Sequence, residues 1–548
     1  MKPLIAQIRS DDILVEVEQG WVSGNILRSN VNESATYYSF KGIPFAKPPV
    51  GPLRFKDPQP PEAWDGIRNA TEYGSVCPQY VTGTSELVSN DEDCLFLNVY
   101  TPQLSNDTLL PVLVSIYGGQ FKIGSGNDNN YGPDFLMNNK GIVIVTMNYR
   151  LDALGFLSMD NADVPGNAGF KDQVFALRWV QKNIKKFGGD PDQVTLQGQS
   201  AGATSVALHV ISPMSKGLFH RAQIYSGNAL SDWALTYHAK YRAFGLTQDL
   251  GLITNNETEA IAYLRSLPSE KLINLTTTVL TSEIITQFPT RFIAFVAVVE
   301  KDYGQERFLT MTPIDALLAG NVNVKEIVTG YTNRETMSMM EYNEAYMKTC
   351  ERYLEMFVPL QVVDVVNTST ILELGSATQQ YYFGDKLVDR VNMEEFVNLA
   401  TNMSFAYTTH RFIRMLPADT TVYFYKFAFF SDLNYYSLYG RPYNMTGASH
   451  SDDLMYLWYA RQLNVTIPTP NTEEYDLMML YTELCANFVK YGNPTPDSDL
   501  LGFTWPKYDM ETLPYLNAQN VPTLGYAADE NDVKFWESIY ERAGLLFN

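Results

Sequence analysis

Between residues 194 and 211 the chain passes from a strand-type run, Val194–Gln197, to a helix-type run, Ala201–Ile211, across Gly198-Gln199-Ser200-Ala201-Gly202. This G-x-S-x-G turn restricts the fold more than any other stretch. A serine on a sharp strand-to-helix turn has strained backbone angles and close-packed neighbours, so side chains at the flanking positions would clash. What the turn yields is a hydroxyl exposed at the carboxyl edge of a sheet, at the start of a helix. Such pentapeptides also occur by chance in ordinary turns. A strand before and a helix after favour the functional reading.

The surroundings extend the pattern. Val112–Tyr117 and Ile142–Asn148 are short runs rich in Val and Ile, of buried-strand type. From Phe170 the period changes: Phe170, Val174, Leu177, Val180, Ile184 and Phe187 recur every three or four residues, which predicts an amphipathic helix stopped by Gly188-Gly189. Ala222–Ser226 and Glu326–Gly330 read as further strands. This βαβ succession predicts an α/β fold with a large, mainly parallel central sheet and helices on both faces. The stretches from about 235 to 320 and from about 336 to 415 read as mostly helical insertions roofing a site at the strand ends. No repeat, low-complexity tract or long linker divides the chain, so residues 1–548 are expected to form a single domain.

Composition removes several classes. A hydrophobic content of 45% excludes a mostly disordered chain. Forty Lys and Arg against 61 Asp and Glu give a net charge of −21, which repels phosphate backbones, so no nucleic-acid partner is expected. No apolar run reaches the roughly 18 residues of a transmembrane helix. The N-terminus MKPLIAQIRSDD carries charges where a signal peptide needs an apolar stretch. That reads as cytoplasmic, or as secreted if a signal has been removed. Nine Asn-x-Ser/Thr sequons, at Asn32, Asn69, Asn106, Asn256, Asn274, Asn367, Asn402, Asn444 and Asn464, pull toward a secreted glycoprotein. Four scattered cysteines do not make a disulfide scaffold or a zinc site. There is no phosphate loop, dinucleotide fingerprint or His-x-x-x-His, so neither cofactor nor metal is expected.

A nucleophilic serine needs a base, and the chain has only five histidines. With this elbow the chain order is Ser, acid, His. His209 lies on the helix that follows the elbow, and His220 and His238 come too early. His410 sits in the apolar helical segment FAYTTHRFIRML and reads as a core or surface residue. His450, in the polar loop Gly447-Ala448-Ser449-His450-Ser451-Asp452-Asp453, is the candidate base. The acid should follow a strand between them. Glu335 follows Glu326–Gly330 by five residues, but spacing alone leaves Glu300 and Asp302 open. An oxyanion needs aimed N–H donors. The loop Tyr117-Gly118-Gly119-Gln120-Phe121 and the amide of Ala201 are placed to supply them.

With these residues the chain resembles the type-B carboxylesterases of the cholinesterase/carboxylesterase family, most of all the insect carboxylesterases. The resemblance runs from Tyr38-Ser39-Phe40-Lys41-Gly42-Ile43-Pro44 to Asn493-Pro494. It includes Glu92-Asp93-Cys94-Leu95-Phe96-Leu97-Asn98-Val99 and the block from Pro165-Gly166-Asn167 to Asp172-Gln173. It implies an α/β-hydrolase fold and a small-molecule ester substrate. It also implies a triad of Ser200, Glu335 and His450, oxyanion amides from Gly119, Gln120 and Ala201, and a Cys77–Cys94 disulfide. Cys350 and Cys485 have no family partner and read as free core cysteines. Trp233 resembles the acyl-pocket tryptophan of insect carboxylesterases, and Tyr131 and Phe121 are expected to line the pocket with it.

Departures from the family refine the substrate. The Cys77–Cys94 loop is short and holds no tryptophan, and Gln199 is neutral where cholinesterases carry glutamate. Both changes remove attraction for a quaternary ammonium group. Xenobiotic, pheromone or lipid-like esters are the expected substrates. Gly-Gln-Ser-Ala-Gly is also the variant of juvenile hormone esterases, which makes that activity the alternative. Gln120 stands where the family has Gly or Ala. A non-catalytic adhesion protein of the same fold is the rival of another class, but such proteins typically lose a triad member and this chain keeps all three.

Overall fold

Strands whose side chains are buried on both faces form the middle of a thirteen-stranded sheet. In the computed structural model, which describes residues 13–32, 34–81, 86–105, 107–138, 141–274, 293–496, 501–519 and 521–545, the strands in chain order are as follows. β1 is Ile13–Val17, β2 Gly20–Arg28, β3 Thr36–Pro44, β4 Ile67–Asn69, β5 Gln79–Tyr80, β6 Leu87–Ser89 and β7 Phe96–Thr101. β8 is Leu110–Ile116, β9 Val143–Met147, β10 Gly189–Gln199 and β11 Arg221–Tyr225. β12 is Glu326–Thr332, β13 Thr421–Phe427, β14 Pro514–Ala518 and β15 Thr523–Tyr526.

The sheet order is β1-β2-β3-β7-β9-β8-β10-β11-β12-β13-β14-β15, with β4 alongside β2 and β5–β6 a separate hairpin. From β9 to β14 every neighbouring pair is parallel. All five residues of β9 are buried, as are the last five of β8, the pattern of strands covered on both faces. The expected parallel character therefore holds for the centre of the sheet. Both flanks are antiparallel: β1–β2, β2–β3, β3–β7 and β7–β9 on one side, β14–β15 on the other. Two residues join β1 to β2, and a connection that short permits only an antiparallel return.

Consecutive residues of β10 show how the faces are covered. The Gln197 carboxamide reaches Cys485, on the helix Glu473–Tyr491, at 3.6 Å. Its neighbour Gly198 abuts Gly202, on the helix Ala201–Ile211. Because successive strand residues point to opposite faces, these two helices cover opposite sides of the sheet. The helix foreseen from Phe170 spans Ala168–Asn183 and continues as a 3-10 turn, Ile184–Phe187, which Gly188 closes at φ 78°.

The segment from 336 to 415 is helical over most of its length. Its apolar side chains, among them Phe357, Phe396 and Leu399, form their own cluster with Trp536 and Tyr540 of the helix Glu530–Arg542. The other insertion is helical only in part. Helices run Ala239–Asp249, Glu257–Ser266, Ser269–Asn274 and Pro313–Leu318, while 293–312 holds no helix and 275–292 lies outside the described residues. Among the described residues no helix is long and apolar enough to cross a membrane.

Candidate active site

The turn after β10 is as tight as its glycines demand. A Cβ at Gly198 would stand 2.3 Å from the Gly202 carbonyl carbon, and one at Gly202 would stand 2.1 Å from the Ile116 oxygen. Ser200 lies between them at φ 59°, ψ −126°, a region that L-residues rarely occupy. Its N–H donates to Tyr225 O at 2.9 Å, which anchors the turn to β11. The serine is half-buried at the head of the helix Ala201–Ile211.

The histidines separate by environment. His209 is fully buried between Ser215 Oγ (2.6 Å) and Gln173 Oε1 (2.9 Å), and burial lowers its pKa to about 3. His410 faces the Tyr331 hydroxyl at 3.1 Å, and burial lowers it to about 4. His220 Nδ1 accepts the Val194 N–H, and His238 precedes the helix Ala239–Asp249. His450 meets a carboxylate: its Nδ1 is 2.5 Å from Glu335 Oε2. Its loop is polar in sequence but buried in place, with Ser449, Asp452 and Asp453 fully enclosed.

Of the three carboxylates left open by spacing, Glu335 is the one against His450. It is fully buried, and its Oε1 accepts the Thr332 N–H at 2.7 Å. Its loop is sewn to that of His450: Arg334 N–H donates to Ala448 O at 3.0 Å, and Ala448 N–H to Asn333 Oδ1 at 2.8 Å. Glu300 instead braces the core, paired with buried Lys171 at 2.6 Å and accepting from Asn167 Nδ2 and Phe308 N–H. Asp302 is exposed and pairs with Arg307.

Beside Ser200 the loop after β8 has positive φ at three successive residues, Gly119 (120°), Gln120 (58°) and Phe121 (57°). Successive amides in such a turn point into one concavity, which favours an anion. No hydrogen bond among the described residues uses the N–H of Gly119 or Gln120. Ala201 opens a helix, so its N–H has no intrahelical acceptor. The Gly118 N–H donates to the Tyr131 hydroxyl at 3.1 Å. Burial pushes that phenol up to about 12.

The three expected pocket residues part company. Trp233 packs on Phe405 at 4.8 Å between ring centroids, and Phe405 packs on the His450 imidazole at 5.1 Å. Tyr131 buttresses the glycine loop with its hydroxyl. Phe121 turns inward: its ring is fully buried, edge-on to Phe156 and Phe170 at 5.3 and 5.6 Å, and belongs to the core. Two contacts had no distinct sequence signal. Phe405 sits in a π-helical segment, Asn402–Ala406, within what reads as one continuous apolar helix. Gln199 places its amide nitrogen 3.1 Å from His450 Nε2.

Cys77 and Cys94 form a disulfide, and Cys350 and Cys485 are buried thiols. Among the described residues no group of His, Cys, Asp or Glu is arranged to hold a metal ion.

Comparison with known proteins gives one family. The model of the carboxylesterase family matches residues 11–536. Esterase FE4 of Myzus persicae is 34% identical over 499 residues, covering 88% of this chain and 85% of the relative. The juvenile hormone esterase of Tribolium castaneum is 34% identical over 527 residues, covering 91% of this chain and 86% of its own length. The crystal structure of juvenile hormone esterase from Manduca sexta, with OTFP covalently attached, superposes with a TM-score of 0.84 at 32% identity, covering 97% of this chain and all of that one. The sheet and its helices are thus those of the α/β-hydrolase fold.

Proposed function

The chain belongs to the carboxylesterase family and is a carboxylic ester hydrolase, and from that premise we propose that Ser200, His450 and Glu335 carry the reaction. The observation that supports this reading most directly is the 2.5 Å contact between His450 Nδ1 and Glu335 Oε2, beside a serine on a strained elbow. The carboxylate holds the proton on Nδ1 and leaves Nε2 bare to act as base. Ser200 Oγ attacks the ester carbonyl carbon and its proton passes to Nε2. The carbonyl oxygen becomes an oxyanion facing the N–H groups of Gly119, Gln120 and Ala201. Collapse expels the alcohol, which takes the proton from Nε2. Water then repeats the sequence on the acyl-enzyme, releasing the acid and free Ser200.

The acyl side of the site is read as apolar, with Phe405 beside the imidazole and Trp233 packed on Phe405. Together with neutral Gln199, this favours uncharged xenobiotic, pheromone or lipid-like esters over cationic ones. A second reading, a juvenile hormone esterase, is favoured by Gly198-Gln199-Ser200-Ala201-Gly202 and by the likeness to juvenile hormone esterases. Kinetics on a panel that varies acyl and alcohol size, with juvenile hormone included, separate the two.

Ser200→Ala tests the chemistry. Its fold should survive, since the Ser200 main-chain bond to Tyr225 is kept. Hydrolysis of a naphthyl ester should fall by several orders of magnitude, and a fluorophosphonate probe should no longer attach. Normal turnover by the folded variant would remove Ser200 from the mechanism.

A further inference from the structure

His450 Nδ1 faces a carboxylate, which accepts and does not donate, so in the neutral ring the proton is on Nδ1 and Nε2 presents a lone pair. That lone pair is the acceptor the serine proton needs. Among the described residues, the group hydrogen-bonded to it is the Gln199 amide nitrogen at 3.1 Å, not Ser200 Oγ. The rest of the carboxamide is enclosed. Gln199 is 3% exposed, and its Oε1 lies against the glycine loop, 3.2 Å from where a Cβ on Gly118 would be. The amide therefore sits between the glycine loop and the imidazole, with an N–H donor facing the ring.

We propose that Gln199 occupies the resting lone pair of His450 Nε2, the same one that Ser200 uses, and must release it before acylation. This rests on the reading of Ser200, His450 and Glu335 as the reacting groups. Acylation then begins with an exchange of partners: Nε2 leaves the amide N–H of Gln199 and accepts the hydroxyl proton of Ser200. Glu335 keeps the ring oriented through Nδ1 and the His450 main chain, and the carboxamide slows the first step by the strength of one neutral hydrogen bond that must be given up. A glutamate at this position could not do this, because an ionised carboxylate has no hydrogen to donate to a bare Nε2. The role is thus a consequence of having glutamine before the serine.

The test is saturable inactivation by a fluorophosphonate, in which the Ser200 Oγ–P bond forms, the P–F bond breaks, fluoride leaves, and the hydroxyl proton goes to His450 Nε2. Gln199→Met keeps the volume and removes the donor, and Gln199→Ala removes both. In both folded variants the limiting inactivation rate constant should rise roughly two- to tenfold, the range one neutral hydrogen bond spans, while the half-saturating concentration stays unchanged. A limiting rate at or below wild type in folded Gln199→Met would overturn the proposal. Failure of the wild type to label, or labelling of Ser200→Ala, would instead overturn the triad reading, so the two failures are distinct.

Discussion

Glu335 grips His450 at two points: its carboxylate lies 2.5 Å from Nδ1, and its backbone carbonyl accepts the His450 N–H at 3.1 Å. One residue thus fixes both the ring and the main chain of the other, 115 positions away in sequence. A loop-borne imidazole held in this way does not need a helix or strand of its own to be precise. The second carboxylate oxygen is occupied by the Thr332 N–H, so the acid itself is pinned to the end of β12.

This arrangement separates Glu335 from its rival. Glu335→Gln should leave the protein folded, because an amide oxygen can still accept from Thr332, and should lower kcat by about 10⁴, through the wrong imidazole tautomer. Glu300→Gln should behave in the opposite way. It breaks a buried pair with Lys171, which should cost on the order of 3 kcal/mol of stability, with kcat near wild type. Steady-state kinetics and thermal melts of the two variants decide between them.

At Gln120 the backbone donor and the side chain have separate consequences. Its φ of 58° is left-handed, a conformation that a glycine adopts without strain. Gln120→Gly should therefore keep the amide proposed for the oxyanion and remove a half-buried side chain beside it. The expected outcome is a kcat/KM gain of roughly tenfold or more for bulky acyl esters relative to acetate. An acyl-length series measured on both proteins checks it, and an unchanged ratio would shift selectivity to Trp233.

Burial raises the carboxyl of Asp452 to about 7, against the hydrogen bonds it accepts from Ser437, Ser449 and Tyr436, and raises Asp453 to about 6 with the help of the Glu335 charge. A carboxyl raised on folding binds its proton more tightly in the native state than in the unfolded chain. Its contribution to stability is therefore complete below the unfolded value of 3.8 and is lost as pH rises through about 7. Asp452→Asn removes one of the two groups. Its melting temperature should fall less than that of wild type between pH 4 and pH 7, as measured by calorimetry across that range. An equal fall in the two proteins would mean that Asp452 is not protonated in the fold.

The Cys77–Cys94 bridge spans a sequence separation of 17. In the chain-entropy account a loop of that size is worth about 3 kcal/mol. Replacing both cysteines by alanine should lower the denaturation free energy by that amount while esterase activity at low temperature persists. Peptide mapping without reduction should recover the two half-peptides joined.

What could be read from the sequence was what short-range physics controls. The elbow, the helix after it and the apolar runs of the parallel centre are set by local period and by glycine sterics, within a few residues. The scarcity of histidine left His450 as the candidate base by elimination. Within the antiparallel flanks, the pairs β3–β7 and β7–β9 were less legible, since they join strands distant in the chain. The choice among Glu335, Glu300 and Asp302 belongs to tertiary structure, because all three are carboxylates between Ser200 and His450 in the chain and are separated by what the fold brings to them: an imidazole, a buried lysine, or solvent. The same holds for Phe121, whose ring a left-handed backbone turns into the core. It holds too for Phe405 and Gln199, which reach the imidazole from 45 and 251 positions away. Packing and hydrogen bonding act on distance in space, and at those separations only the folded chain determines it.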